Sequence, residues 1–238
     1  MMAALGSIKK VLSMGKNGEI TEEERRQRYE ALKEVRDGVI DLKESPLYAT
    51  RVKPVVGEGD HFASVMLVGE APGKNEAEQG RPFCGAAGKV LDELLELINL
   101  PRNEVYITNI LKDRPPNNRD PLPQEIELYA PFLDRQIAII KPEIIAALGR
   151  FAMIYLMERY GMRELIEPIS QAHGKVFETE MEYGPVTFVP LYHPAVAVYN
   201  RGMREALEGD FRVIERQLEF RKSIRHPPVG GGGLNSKQ

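Results

Sequence analysis

The stretch Val65–Leu95, VMLVGEAPGKNEAEQGRPFCGAAGKVLDELL, decides how the rest of the chain is read. It opens on an apolar run, Val65 to Val68, that is too short for a helix and has turn residues after it. It closes with Val90, Leu91, Leu94 and Leu95 at helical spacing. The pattern predicts strand, long loop, helix. Between strand and helix lie Gly69, Pro72, Gly73, Gly80, Pro82, Gly85 and Gly88. Glycine lets a ligand approach the main chain and proline stiffens what lies between, so this loop is shaped rather than slack. It carries Glu70, Glu76 and Phe83 at the carboxyl end of a predicted parallel strand, where open α/β sheets bind their ligands. A nucleotide-phosphate loop needs Lys followed by Ser or Thr after its last glycine, and Gly88-Lys89-Val90 does not supply it.

Outward from this stretch the same alternation continues. Thr21 followed by three glutamates is a helix start, and that helix is expected to run to about Leu42. Further strands are predicted at Val105–Ile110, Glu143–Leu148 and Val186–Leu191, with helices over Pro123–Ile140, Arg150–Tyr160 and Met203–Glu219 and a hairpin around Lys175–Glu182. Four apolar strands separated by helices imply an α/β fold, with a central, mainly parallel four-stranded sheet flanked by helices in a three-layer sandwich. A single domain over residues 21–222 is expected, with a mobile arm at 1–20 and a disordered tail at 223–238, where PPVGGGG is of low complexity.

Composition narrows the function classes. Of 238 residues, 42% are hydrophobic and 28% charged, as in ordinary globular proteins. A formal net charge of −3 and a pI near 5.9 mean that any nucleic-acid binding must rest on a local basic patch. No apolar run approaches the roughly 18 to 20 residues of a membrane span, and the first residues lack a signal-peptide pattern. A cytoplasmic protein with no membrane partner is therefore expected. The single cysteine, Cys84, excludes an intrachain disulfide or a cysteine-cluster metal site and reads as a small packed residue.

Three predicted strand ends hand over polar groups of different kinds: the Glu70 loop, Asn109 and His193. In a parallel sheet these ends share one edge, so the residues can converge. Singly, each has an ordinary structural reading. Asn109 suits a turn, His193 before Pro194 suits a satisfied structural histidine, Phe83 suits a core, and Glu70 and Glu76 suit a solvated loop. Their coincidence at one edge carries more information than any one of them.

GEAPG at Gly69–Gly73, Glu76, GRPFCGAAG at Gly80–Gly88, YITN at Tyr106–Asn109, RPPNNRDPLP at Arg114–Pro123 and YHP at Tyr192–Pro194 resemble the uracil-DNA glycosylase superfamily. The similarity is closest to its family 4, the thermostable bacterial and archaeal type, and covers roughly Leu42 to Leu218 in the family's motif order. It implies base excision repair: uracil is flipped from DNA and its N-glycosidic bond hydrolysed, leaving an abasic site. Phe83 would stack on the base, Asn109 would read its Watson–Crick edge, and His193 with the Glu70–Ala71 turn would donate to O2. Glu70 and Glu76 are both candidates for the carboxylate that orients water or offsets sugar charge, and Glu76 is equally a candidate for excluding thymine's methyl group. Lys112, Arg114, Arg119, Arg201 and Arg204 are expected to meet phosphates, and Val198 or Tyr199 to wedge into the duplex. DNA containing uracil, single- or double-stranded, is the implied partner of a monomeric enzyme.

Departures from the family pattern are equally specific. The cysteines that hold a 4Fe–4S cluster in family 4 align with Leu42, Ser45, Asp113 and Tyr129, none of them a thiol, so no cofactor and no metal are expected. Ala77 stands where an acid is usual, and Ala197 is too small to wedge. Two other readings remain open on these residues: a glycosylase with altered base specificity, such as hypoxanthine or xanthine, and a non-catalytic DNA-binding relative.

Overall fold

A computed structural model describes residues 20–225. In chain order the elements are α1 (Glu22–Ile40), β1 (Glu58–Gly59), β2 (Val65–Gly69), α2 (Lys74–Gln79), α3 (Ala86–Leu97), β3 (Tyr106–Asn109), α4 (Pro123–Ile140), β4 (Ile144–Leu148), α5 (Arg150–Arg159), α6 (Ile169–Ala172), β5 (Phe177–Met181), β6 (Gly184–Leu191), α7 (Ala195–Tyr199) and α8 (Arg204–Arg225). Residues 1–19 and 226–238, on which the expected arm and most of the expected tail fall, lie outside the described residues. Residues 223–225, also assigned to that tail, belong instead to α8.

The sheet has six strands in the order β1-β3-β2-β4-β6-β5 rather than the four expected. The four apolar strands are its parallel centre, and the additions are antiparallel edges, β1 on β3 and β5 on β6. The two-residue β1 is too short to leave a periodic pattern, whereas β5 is one arm of the predicted hairpin.

Strand β2 shows why both faces are covered. Successive side chains of a strand point to opposite faces. Val65 and Leu67 join the core that holds Leu91, Leu94 and Leu95 of α3 and Phe211 of α8. Met66 and Val68 join the opposite core, with Leu133, Ile137 and Ile140 of α4 and Leu156 of α5. Helix α1 starts at Thr21 as expected, where Thr21 and Glu24 form a capping box, and its Val35 and Val39 are fully buried. No helix among the described residues is long and apolar enough to cross a membrane.

This topology fixes where a ligand site can form. From β2 the chain moves to β3 on one side and then to β4 on the other, so the carboxyl end of β2 is a switch point. The strand ends are level there. Gly69 pairs with Asn109 and Leu148 with Leu191, which puts His193 two residues beyond the same edge.

Candidate active site

A cavity of about 420 Å³ opens at this edge, lined by Glu70, Ala71, Glu76, Phe83, Asn109 and His193, with Pro115, Asn118, Arg119, Asp120 and Ala195 among its other walls. The six residues read from the strand ends and the glycine loop are thus brought together.

Close contact between backbone and side chains builds the floor. A Cβ on Gly69 would stand 2.3 Å from Asn109 Oδ1 and 2.8 Å from Phe83 Cζ, so only glycine lets the amide and the ring share this place. Phe83 itself has φ +46°, a left-handed conformation that bulky residues rarely adopt. It is held because its carbonyl packs over Gly88, where a Cβ would come within 1.8 Å of Phe83 O. The Phe83 and His193 rings lie 5.4 Å apart, tilted by 30°.

Three polar groups are shaped by their surroundings. The Ala195 N–H donates to His193 Nδ1 over 3.1 Å, which leaves Nε2 as the protonated nitrogen of the neutral ring. Burial lowers the His193 pKa to about 4, with the Glu76 carboxylate acting weakly the other way, so the ring is neutral at physiological pH. Glu76 Oε1 accepts the N–H groups of Cys84 and Gly85, at 3.1 and 3.0 Å, at the start of α3. That carboxylate is therefore fixed by backbone. Glu70 is different: burial, reinforced by the Asp120 carboxylate and opposed by Arg150, pushes its carboxyl up to about 7. Asp120, Arg150 and the Ala195 amide were not singled out from the sequence. The amide follows from the turn geometry of His-Pro-Ala, and the other two become neighbours of Glu70 only through the fold.

The expected phosphate-binding groups divide. Lys112 must be corrected. It is 0% exposed, and its Nζ donates to Thr108 Oγ1, Asn109 O and Gln136 Oε1 at 2.7, 2.7 and 2.6 Å. The chain after β3 stays bonded to the sheet, through Ile110 N–H to Gly69 O and Leu111 N–H to Glu70 O, and so carries Lys112 inward. Burial without a carboxylate drives its pKa well below the usual lysine value. Arg119 lines the cavity but is paired with Glu125, and Arg204 is paired with Glu93 and Glu208. Arg114 Nε donates to Asn118 Oδ1 at 2.7 Å. Arg201 is exposed, as are Val198 and Tyr199 on α7 beyond His193.

The sequence model of the uracil DNA glycosylase superfamily matches residues 56–218. The chain belongs to that superfamily. Its relatives include the type-4 uracil-DNA glycosylase of Sulfurisphaera tokodaii, 44% identical over 186 residues, or 78% of this chain and 84% of the relative. That of Archaeoglobus fulgidus is 42% identical over 185 residues, 78% of this chain and 92% of the relative. That of Saccharolobus solfataricus is 42% identical over 185 residues, 77% and 85% of the two chains. Ser45, Asp113 and Tyr129 are in contact with one another, with Tyr129 Oη 3.0 Å from Ser45 Oγ and against Asp113 Oδ2, and Leu42 lies in the same core as Tyr129.

Proposed function

We propose that this protein is a uracil-DNA glycosylase of the type-4 kind, which excises uracil flipped from DNA into the cavity at the carboxyl end of β2 and leaves an abasic site. The observation that carries this reading is the sharing of one cavity by a ring, an amide and a neutral imidazole: Phe83, Asn109 and His193. An amide donates to uracil O4 through Nδ2 and accepts N3–H through Oδ1, whereas cytosine presents the opposite pattern. A site that buries such groups discriminates by leaving them unpaired, by on the order of 10⁴ or more. Asn109 is buried and backed by Gly69, which suits it to this task.

As the bond between C1′ and N1 breaks, its electron pair moves onto the base and negative charge develops at O2. The Nε2–H of neutral His193 is the donor suited to that oxygen, and a donor fixed where charge appears is worth on the order of 3 kcal/mol. The oxygen of water joins C1′ and its proton is given up, so a carboxylate near the sugar serves both as acceptor and as counter-charge. Glu70, with a pKa of about 7, is matched to accepting that proton, while Glu76 is held in place by the Cys84 and Gly85 N–H groups.

A further part of the proposal is that the reaction needs no cluster. The side chains aligned with cluster cysteines are an aliphatic group, a hydroxyl, a carboxylate bound to Arg51 and a phenol whose pKa burial and Asp113 push up. Such a set does not fit an iron–sulfur cluster, which thiolates hold. The test incubates purified, chelator-treated protein with oligonucleotides bearing uracil, hypoxanthine or xanthine and cleaves abasic sites with alkali. Cleavage at uracil is expected. Cleavage confined to the purines, or restored only by iron, would overturn the reading.

A further inference from the structure

We propose that Asp113 is a positioning residue for the base cavity: through a buried network with Arg51, Tyr129 and Ser45 it fastens the cavity's 115–120 wall to α1 and α4. This rests on the reading that uracil occupies the cavity.

The network joins segments far apart in sequence. Arg51 Nε donates to Asp113 Oδ1 at 2.8 Å and Nη2 to Oδ2 at 2.6 Å, a two-pronged pair with side chains 9% and 1% exposed. The same guanidinium donates to Ile40 O at 2.7 Å and Val39 O at 2.9 Å, the last carbonyls of α1, which have no partner within the helix. The Tyr129 hydroxyl, from α4, gives its one proton to Asp113 Oδ2. The Ser45 hydroxyl then supplies the proton for the Ser45–Tyr129 contact, and Ser45 Oγ accepts Leu47 N–H at 3.2 Å. Every polar atom in the cluster is matched, and a matched buried network holds one geometry because partial versions are costly.

That geometry reaches the cavity through one intervening residue of chain. Pro115, Asn118, Arg119 and Asp120 form one wall, and between Asp113 and this wall stands only Arg114. Within the wall, Asn118 N–H bonds to Pro115 O and Arg119 N–H to Pro116 O, both 3.1 Å, and Arg114 Nε bonds to Asn118 Oδ1 at 2.7 Å; at its far end Arg119 pairs with Glu125 of α4 and Asp120 with Arg150 of α5. Those pairs hold the far end, and the near end takes its position from Asp113. The positions where the resemblance implies cluster ligands thus hold a metal-free tie in this chain.

The test uses full-length Tyr129→Phe, which keeps the ring and removes the proton donor, and Asp113→Asn, which keeps the shape and removes the charge. Well below their melting temperatures, KM for a uracil oligonucleotide should rise about tenfold, because small displacements of a binding wall weaken engagement. The single-turnover rate at saturating DNA should stay within about threefold, and amide exchange at Asn118 and Arg119 should speed up at least tenfold relative to α3 amides. If Asp113→Asn does not fold, Tyr129→Phe decides alone. A folded variant with a lower melting temperature but unchanged KM and unchanged exchange at Asn118 and Arg119 would overturn the proposal, leaving a plain core brace. Asn109→Leu separates the two readings: normal kinetics there would remove uracil from the cavity, while the exchange result would still report on the tie.

Discussion

The backbone N–H of Ala195 points at Nδ1 of His193 over 3.1 Å, and this contact sets which nitrogen of the ring can donate. With the pKa lowered to about 4 by burial, His193 is a neutral donor across the working range of pH. We expect His193→Ala to lower the single-turnover rate by on the order of 10² to 10³ with little change in KM, because the hydrogen bond strengthens only as charge reaches O2. Rapid-quench measurement on a uracil oligonucleotide checks this. A wild-type rate would remove His193 from the mechanism.

Glycine positions give a paired prediction. Gly69→Ala places a methyl group 2.3 Å from Asn109 Oδ1 and 2.8 Å from the Phe83 ring, so kcat/KM should fall at least tenfold. Gly209→Ala, inside α8 with nothing within 4 Å of the added carbon, should leave activity unchanged and raise stability by about 0.5 to 1 kcal/mol. Thermal melts and kcat/KM measured side by side distinguish the two.

Glu70 should make activity and stability respond to pH in opposite senses. Its folded pKa of about 7 lies above the ordinary 4.5. Between these values the unfolded chain ionises while the folded protein keeps its proton, so stability falls as pH rises, and the cost is complete above about 7. Glu70→Gln removes that cost, on the order of 1 to 2 kcal/mol for a partly exposed group, and its stabilisation should be larger at pH 8 than at pH 5. The wild-type rate should rise with pH through about 7, and Glu70→Gln should be slow and flat. A wild-type profile without this limb would transfer the proton-accepting role to Glu76.

The sequence was most legible where periodicity and close packing leave a local mark. The parallel strands, the glycine loop and the edge bearing Asn109 and His193 were all readable, because alternation of apolar runs with helices constrains topology. Lys112 was not. Local sequence marks it as a loop cation, and only the continuation of β3 toward Glu70 O, with Gln136 from α4 and Thr108 waiting beneath, makes it an interior donor. The two-residue β1 was invisible for want of length, and the effect of Asp120 on Glu70 arises between segments that meet only in the fold.

Salt dependence tests the correction at Lys112. Arg114→Gln and Arg201→Gln should each flatten the slope of log K against log salt by about 0.7 to 0.9 for an abasic oligonucleotide. Lys112→Met should leave that slope unchanged while lowering the melting temperature, because its three acceptors lose their donor. Unchanged slopes in both arginine variants would move the DNA path away from this edge.

The most direct test of the account is uracil release by Asn109→Leu, a near-isosteric change that deletes the donor and acceptor facing the cavity. The wild-type protein, treated with chelator, should excise uracil from an oligonucleotide and leave thymine and cytosine in place. The variant, folded by its circular dichroism, should lose uracil release by about 10³-fold or more, the scale on which unpaired polar groups discriminate. Uracil release by Asn109→Leu at the wild-type rate would contradict the placement of the base against Asn109 and, with it, the mechanism built on this cavity.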